Sequence, residues 1–174
     1  MSAYLSHNVA VIASPHPASG LSKAVWTDAD FMGMGWHDCR VHAISIGGYE
    51  DDTLPPGRLL LDLDYIVRWV EPSGEEFPFT HWISPATLVF ERAWKITGQL
   101  EPTHEVLEIA DMHRLDPPDD QPDARWHIEG HNFELSLRAH GYIQYLRLPP
   151  LHVARQVLTM VERGGISFAK QSFA

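Results

Sequence analysis

Residues 33–47, GMGWHDCRVHAISIG, bring together side chains that can bind a metal ion or exchange protons. His37, Asp38 and His42 lie close together there, beside the only cysteine of the chain. Imidazole and carboxylate groups are common ligands of transition metals and common acids and bases in hydrolysis. If a strand begins at residue 38 or 39, His37 and His42 point to opposite faces of the sheet, so they cannot share a metal ion locally.

Two interpretations of this window stay open. A metal-assisted site requires His37 and Asp38 to precede the strand and to gain a ligand from elsewhere, such as His81 or the pair Asp62 and Asp64. Alternatively, Asp38 accepts hydrogen bonds from the backbone of a turn, and the neighbouring tryptophan closes one end of the core. We favour the second interpretation and assign no metal, no cofactor and no catalytic residue. The candidate site residues are Trp36, His37, Asp38, Asp62, Asp64 and His81.

The segment LLLDLDYIVRW, residues 59–69, has the alternating pattern of a half-buried strand. Asp62 and Asp64 share one face and lie about 6.6 Å apart, a spacing that suits a paired-carboxylate site. A solvated face with Arg68 as a neighbour explains the same pattern, so we expect both carboxylates to be exposed. The residues expected to face the core together are Leu59, Leu61, Leu63, Tyr65, Val67 and Trp69.

Two later segments predict further strands. FTHWISPATLVFERAW predicts a long strand in which Pro85 marks a bulge, bend or edge, because proline has no N–H to donate to a neighbour. ARWHIEGHNFELSLRAH predicts a hairpin with Gly130 and His131 as its two-residue turn. That register sets His127 opposite Glu134 on the outer face of the sheet.

A short helix is predicted near the N-terminal end of the domain and a second helix near its C-terminal end. The first follows Thr27 or Asp28, either of which can cap a helix in ADFMGM. The second covers HVARQVLTMVERGG and ends at Gly164. With the strands, these predict a mainly β fold with minor α: an antiparallel sandwich or strongly curved sheet of about six or more strands. Residues 1–25 are predicted to form an irregular N-terminal arm and residues 26–174 a single β-rich domain.

The charge of the chain favours some partners over others. Among its 174 residues, 13 are basic and 23 acidic, which gives a formal net charge of −10. Such a charge disfavours binding to nucleic acid and favours a basic protein partner. The apolar run in residues 9–13 is too short for a membrane span or the core of a signal peptide. We therefore expect a cytoplasmic protein that does not bind membranes, with a homo-oligomer as an open possibility.

Five segments together resemble, in order, a family of small bacterial conserved hypothetical proteins: WHDCRVHAISI, LLLDLDYIVRWVEP, FTHWISPATLVFERAW, GYIQYLRLPP and ERGGISF. This resemblance spans roughly residues 35–168; it implies a shared fold and a bacterial host but no reaction. A second resemblance, to β-rich immunity proteins of bacterial toxin systems, rests on Trp36, His37 and Asp38 and on the order of the strands. The second resemblance implies a protein partner.

Two classes of function are consistent with these patterns. The chain contains no phosphate-binding loop, dinucleotide fingerprint or serine nucleophile motif. Together with the acidic charge and the resemblance to immunity proteins, this predicts a non-catalytic protein-binding domain of the immunity or antitoxin kind. The alternative is a small-molecule-binding or metal-assisted hydrolytic enzyme that uses His37, Asp38, Asp62, Asp64 and His81.

Overall fold

Nine antiparallel strands form one sheet in the part of the chain that the structure describes. The structure is a computed structural model, and it describes residues 16–47, 57–72, 78–101, 106–115 and 121–174. The strands are β1 (Val25–Thr27), β2 (Cys39–Gly47), β3 (Gly57–Val70), β4 (Thr80–Leu100), β5 (Leu107–Leu115), β6 (Ala124–Gly130), β7 (Phe133–Ala139), β8 (Ile143–Leu146) and β9 (Leu151–Val153). The prediction of a mainly β, antiparallel fold is confirmed.

The sheet closes on itself. Neighbouring strands follow the order β4, β3, β2, β5, β6, β7, and β7 pairs in turn with β4. These six strands therefore form a ring, and the side chains on their inner faces meet across a central core. The short strands β1, β8 and β9 extend the sheet from the first part of β4.

Strand β4 belongs to two parts of the sheet because it is long and bends. Residues 81–83 pair with β9 and residues 86–89 with β8, whereas residues 94–100 pair with β7. Arg92, between these regions, and Lys95, at the register shift after Trp94, have φ angles of 56° and 48°, in the left-handed region. Residues in this conformation interrupt the regular pleat and let a strand change direction, as at a β-bulge.

Pro85 lies at the point where β4 changes partner from β9 to β8. It stays in register with Asp64 of β3 on one side. On the other side its carbonyl oxygen accepts a hydrogen bond from the N–H of Arg147 at 2.9 Å. The missing N–H of the proline therefore falls between two ladders, where it removes no strand-pairing bond.

Several aromatic side chains pack together in the core around Trp126. Trp126 is fully buried, and its Nε1–H donates to the carbonyl oxygen of Ala139 at 3.1 Å. Its ring lies 5.4–5.6 Å, between centroids, from the rings of Phe31, Phe90 and Tyr142. Satisfying the indole N–H allows so large a side chain to be buried without leaving a polar atom unpaired.

The predicted inward face of β3 is confirmed for its first part only. The residues that are at most 6% exposed there are Leu59, Leu61, Leu63 and Tyr65. Val67 is partly buried, and Trp69 is 39% exposed. The register between β3 and β4 shifts between Ile66 and Arg68. An extra residue at such a shift breaks the alternation of inward and outward side chains, so the pattern does not continue to Trp69.

The predicted C-terminal helix is wrong. After β9, residues 154–174, which we call the C-terminal segment, run as turns and extended chain. One helix-like hydrogen bond, from the Arg163 N–H to the Thr159 carbonyl at 3.0 Å, is not continued. The Leu158 N–H donates to the Asp64 carboxylate instead of stabilising a helix. At the position predicted for the first helix, the chain forms only a 3₁₀ helix of six residues, Asp28–Gly33.

The hairpin of β6 and β7 turns at His131 and Asn132, one residue later than predicted. Glu129 pairs with Glu134, so the observed register differs from the predicted one by two residues. Gly130 belongs to β6 instead of the turn, and a Cβ atom there would lie 2.2 Å from the ring of Phe133. The glycine therefore allows close packing, and its presence misled the assignment of the turn.

The predicted faces of the hairpin survive this correction because a shift of two residues keeps each side chain on the same face. His127 and Glu134 both lie on the outer face, with 2.9 Å between Nε2 and Oε1, although they are diagonal neighbours instead of direct partners. The buried residues of the hairpin include Trp126, Ile128, Phe133, Leu135 and Leu137.

Of the predicted N-terminal arm, residues 1–15 lie outside the described residues. The described remainder contains the 3₁₀ helix His16–Ser19 and the buried Ala24, and β1 follows directly at Val25. Within the described ranges, the helices lack the length and the apolar character that crossing a membrane requires.

Candidate functional site

The six candidate residues lie in four places. Trp36 is in the core, 2% exposed, and its Nε1–H donates to Oε1 of Gln144 at 2.8 Å. His81 is also buried, and its ring meets the ring of Trp69 edge-on at 4.6 Å between centroids. Burial lowers the pKa of His81. Trp36 is part of the packing of the core. His81 lies near enough to Asp38 for the charge of that carboxylate to act against the effect of burial on the pKa of His81.

Asp62 is held by two arginines. Arg163 binds it with both terminal nitrogens: Nη2 lies 2.7 Å from Oδ1 and Nη1 lies 2.9 Å from Oδ2. Nη2 of Arg147 lies 2.7 Å from Oδ1, and the N–H of Ser167 donates to Oδ2 at 3.0 Å. Two-pronged pairing of this kind is the strong geometry for a guanidinium and a carboxylate.

Asp64 belongs to the same network. Nε of Arg163 lies 3.1 Å from Oδ1, and the Leu158 N–H donates to Oδ2 at 2.8 Å. Nε2 of His42 lies 3.1 Å from Oδ2. The register between β2 and β3 shifts between Val41 and Ala43, which makes His42 the extra residue of a bulge. A bulge redirects a side chain, and here it places the imidazole beside the buried carboxylate.

The expectation that Asp62 and Asp64 form a solvated face is wrong, since both residues are 0% exposed. The C-terminal segment covers this face and supplies Arg163, and two of its backbone N–H groups donate to the carboxylates. Each of the four carboxylate oxygens accepts at least one hydrogen bond, and two guanidinium groups balance the two negative charges. We conclude that the pair fastens the C-terminal segment to the sheet; it offers no open position to a metal ion or a substrate.

The buried network makes the stability of the protein sensitive to acid. Burial alone would raise the pKa of Asp64, but hydrogen bonds from His42 and Leu158 and the charge of Arg163 outweigh it and hold the pKa below its ordinary value. A lowered pKa in the folded state gives stability that is present above the unfolded pKa, near 3.8, and is lost as the pH falls through the folded value.

We therefore expect the free energy of unfolding of the wild type to exceed that of Asp64→Asn by less at about pH 3 than at about pH 5. Denaturant titrations of both proteins at the two pH values measure this difference. A difference that stays constant or grows as the pH falls would contradict a folded carboxylate with a lowered pKa.

Cys39 is part of the core and not a reactive group. It is 0% exposed, and its Sγ accepts a hydrogen bond from the N–H of Ile66 at 3.4 Å. Burial raises the pKa of Cys39 to about 12. Because the thiolate is the reactive form, we expect a thiol reagent such as Ellman's reagent to leave the native protein unmodified at neutral pH and to modify it fully in denaturant. Fast modification of the native protein would show that the thiol is accessible.

His37 and Asp38 meet at the rim of the sheet, and β2 begins at the next residue, Cys39. Nδ1 of His37 lies 3.0 Å from Oδ2 of Asp38. The condition stated for a metal site, that both residues precede the strand, is therefore met. The borrowed groups are Glu108 and His131 instead of the expected His81 or aspartate pair: with Asp38, their ligand atoms all lie within 4.8 Å of one another. We call Asp38, Glu108 and His131 the rim cluster.

An acidic groove of about 390 Å³ runs beside the rim cluster, along the end of the β6–β7 hairpin and the end of β4. Three of its lining side chains are carboxylates, and among the described residues no Lys or Arg lines it. Leu100 and Val106 are 52% and 40% exposed near its edge. Asn132 connects both residues to the groove. Its backbone carbonyl accepts a hydrogen bond from the N–H of Glu101, the neighbour of Leu100, and its side-chain amide donates a hydrogen bond to the carbonyl of Val106. The lining residues are Gln99, Glu101, His127, Glu129, Gly130, His131, Asn132, Phe133 and Glu134.

Sequence reasoning missed Arg147 and Arg163, which complete the buried network. One signal was present: Ile66, on the same face of β3 as Asp62 and Asp64, is apolar and is now found 5% exposed. A strand face that carries large apolar residues beside its carboxylates is more consistent with a covered face than with a solvated one. Glu108 and His131 gave no such signal, because neither residue belongs to a metal-binding or catalytic sequence motif.

Two surface features therefore stand out in the described part of the chain, the rim cluster and the acidic groove, and His131 belongs to both. Both are assembled from residues far apart in the sequence. The rim cluster joins the residue before β2, the start of β5 and the β6–β7 turn, and the groove joins the end of β4 to the β6–β7 hairpin. No protein-family model, no curated protein and no solved structure matches this chain.

Proposed function

We propose that this protein is a non-catalytic binding domain that docks a basic segment of a partner protein in the acidic groove. The observation that carries the proposal is the composition of the groove: Glu101, Glu129 and Glu134 line it, and no lysine or arginine of the described residues does. A groove with charges of one sign attracts the opposite charge and speeds the encounter with it.

The exposure of these groups supports docking from solution. The side chains of Glu129 and Glu134 are 57% and 59% exposed, so a lysine or arginine of a partner can reach them. The exposed Leu100 and Val106 add apolar surface at the edge of the groove. A segment that alternates basic and apolar residues would therefore find both kinds of contact. The formal charge of −10 would attract such a partner over a longer range.

The proposal assigns no chemistry to the paired carboxylates. Asp62 and Asp64 are occupied by Arg147 and Arg163, which leaves two of the five residues of the enzyme interpretation without an open position. An inhibitor of a basic toxin is the kind of protein that the Trp36–His37–Asp38 resemblance suggests. Such an inhibitor would bind a basic surface of the toxin in the acidic groove and so block it.

Peptide binding tests the proposal. The probe is a fluorescent peptide of alternating lysine and leucine, and a peptide with glutamate in place of lysine is the negative probe. We expect binding of the lysine peptide alone, weakened about tenfold in Glu129→Gln/Glu134→Gln, since each exposed ion pair contributes up to about 1 kcal/mol. The control is Glu71→Gln/Glu91→Gln, which removes the same charge outside the groove and should change the affinity by less than about twofold.

Equal weakening in the two double variants would show that only net charge matters and would contradict the groove as the docking surface. The same three proteins can serve as baits in extracts of the native host. The partner expected from the proposal is captured by the wild type and by the control variant and is lost with the groove variant. If the groove variant and the control variant captured the same proteins in equal amounts, the result would contradict the proposal.

A further inference from the structure

We propose that Asp38, Glu108 and His131 bind a divalent transition-metal ion of the zinc class, with His37 as the fourth ligand. Nε2 of His131 lies 3.6 Å from Oε1 of Glu108 and 4.0 Å from Oδ1 of Asp38. The three ligand atoms all lie within 4.8 Å of one another. This gathers one imidazole and two carboxylates around a single point at the rim of the sheet.

These separations are close to those of a formed metal site. With metal–ligand bonds of about 2.0–2.2 Å, tetrahedral geometry places neighbouring ligand atoms about 3.3–3.6 Å apart. The rim cluster, whose ligand atoms lie within 4.8 Å of one another, therefore needs to contract by at most about 1.5 Å to surround an ion. The side chain of His131 is 54% exposed and lies in the two-residue turn between β6 and β7, so it is free to make this small adjustment.

The backbone fixes the three ligands relative to one another. The Asp38 N–H donates to the carbonyl of Ile109 at 2.8 Å, and the His131 N–H donates to the carbonyl of Glu108 at 3.1 Å. Asp38 has a φ of 63°, a left-handed conformation that aspartate tolerates better than most residues. The segment before β2, the start of β5 and the β6–β7 turn are thus joined directly, and the cluster does not depend on one flexible loop.

The charges of the rim cluster favour a cation. Two carboxylates face one another, and the contacts that the described residues make with the Asp38 carboxylate come from His37, His131 and the side-chain amide of Gln156. None of these groups carries the permanent positive charge that arginine gives to the buried pair Asp62 and Asp64. Arg40 is the cross-strand partner of Glu108, but the ion pair that Glu108 makes among the described residues is with His131. Bringing two carboxylates together is unfavourable, and a cation between them relieves the repulsion.

The donor atoms indicate which cation. Imidazole nitrogen suits zinc and its neighbours in the first transition row, whereas magnesium and calcium prefer oxygen ligands only. Nδ1 of His37 lies 3.0 Å from Oδ2 of Asp38, and its side chain is 70% exposed, so it can turn toward the same ion. Two nitrogens and two oxygens would then complete a four-coordinate zinc site.

Calorimetric titration of the full-length, tag-free protein with zinc chloride tests the proposal. We expect one saturable site per chain, which cobalt chloride also fills with the visible absorption of tetrahedral cobalt and which magnesium chloride does not fill. Glu108→Gln and His131→Ala should each weaken zinc binding at least about tenfold. Thermal unfolding of each variant without metal shows that it is folded before binding is measured.

His113→Ala is the matched control, because His113 also lies near two carboxylates, Asp111 at 3.7 Å and Glu129 at 3.4 Å, but outside the rim cluster. Zinc affinity within about twofold of the wild type is expected for this variant. Equal losses in His113→Ala and His131→Ala, no loss in Glu108→Gln, or the absence of a saturable site would each overturn the proposal. Because the peptide test changes Glu129 and Glu134 and uses no metal, the two proposals can fail separately.

Discussion

Arg163→Met is expected to lower the free energy of unfolding by about 3–5 kcal/mol, the cost of breaking a buried ion pair by removing one partner. The guanidinium of Arg163 is fully buried and makes four hydrogen bonds, three of them to Asp62 and Asp64 and one to the carbonyl of Gly165. Methionine fills part of the space but leaves the carboxylates with buried, poorly balanced charge. Urea unfolding followed by tryptophan fluorescence measures the change.

Arg155→Met is the matched control for Arg163→Met. Arg155 also pairs with a carboxylate of the C-terminal segment, Glu162, but its side chain is 43% exposed. Exposed ion pairs contribute at most about 1 kcal/mol, so this variant should unfold almost as the wild type does. If the two variants lost the same stability, the buried network would not be what fastens the C-terminal segment to the sheet.

Gly98→Ala is expected to cost about 3 kcal/mol of stability, because it places a methyl group where β4 and β7 leave no room for a Cβ atom. Gly98 lies in the part of β4 that pairs with β7 and so closes the ring. A Cβ atom there would lie 2.2 Å from the carbonyl oxygen of Glu134 and 2.7 Å from a side-chain carbon of Leu135. The backbone of Glu134 cannot move away from this methyl group without weakening the hydrogen bonds between β4 and β7.

Gly47→Ala provides the control for Gly98→Ala. Gly47 ends β2, and a Cβ atom there would meet no atom within 4 Å. Its midpoint of thermal unfolding should stay close to that of the wild type, whereas that of Gly98→Ala should fall by several degrees. A Gly98→Ala protein as stable as Gly47→Ala would contradict the tight closure of the sheet at this point.

Much of the sheet could be predicted because strand alternation is a local property. The run from Leu59 to Tyr65 and the faces of the β6–β7 hairpin follow directly from period-two patterns. The turn was misplaced because Gly130 packs against Phe133, a contact that only the folded structure reveals. The C-terminal helix was predicted from helical spacing, but tertiary bonds to Asp62 and Asp64 decide the conformation of that segment.

The candidate site could be predicted only in part. His37 and Asp38 were identified because two ligand types stand side by side in the sequence. Glu108 and His131 were not, because the pairing of β2 with β5 and the β6–β7 turn bring them to Asp38. For the same reason the acidic groove has no counterpart in the linear sequence: its glutamates come from the end of β4 and from both strands of the hairpin.

The most direct test of the acidic groove is to map the bound lysine–leucine peptide by NMR on uniformly ¹⁵N-labelled protein. We predict that the largest changes in amide chemical shift fall in residues 99–101 and 127–134, which line the groove. At a peptide concentration equal to the wild-type Kd, these amides should shift about fivefold less in Glu129→Gln/Glu134→Gln, because its affinity is about tenfold lower. If the largest changes fell on another face of the sheet, or if the peptide shifted no amide of the groove, the acidic groove would not be the docking surface.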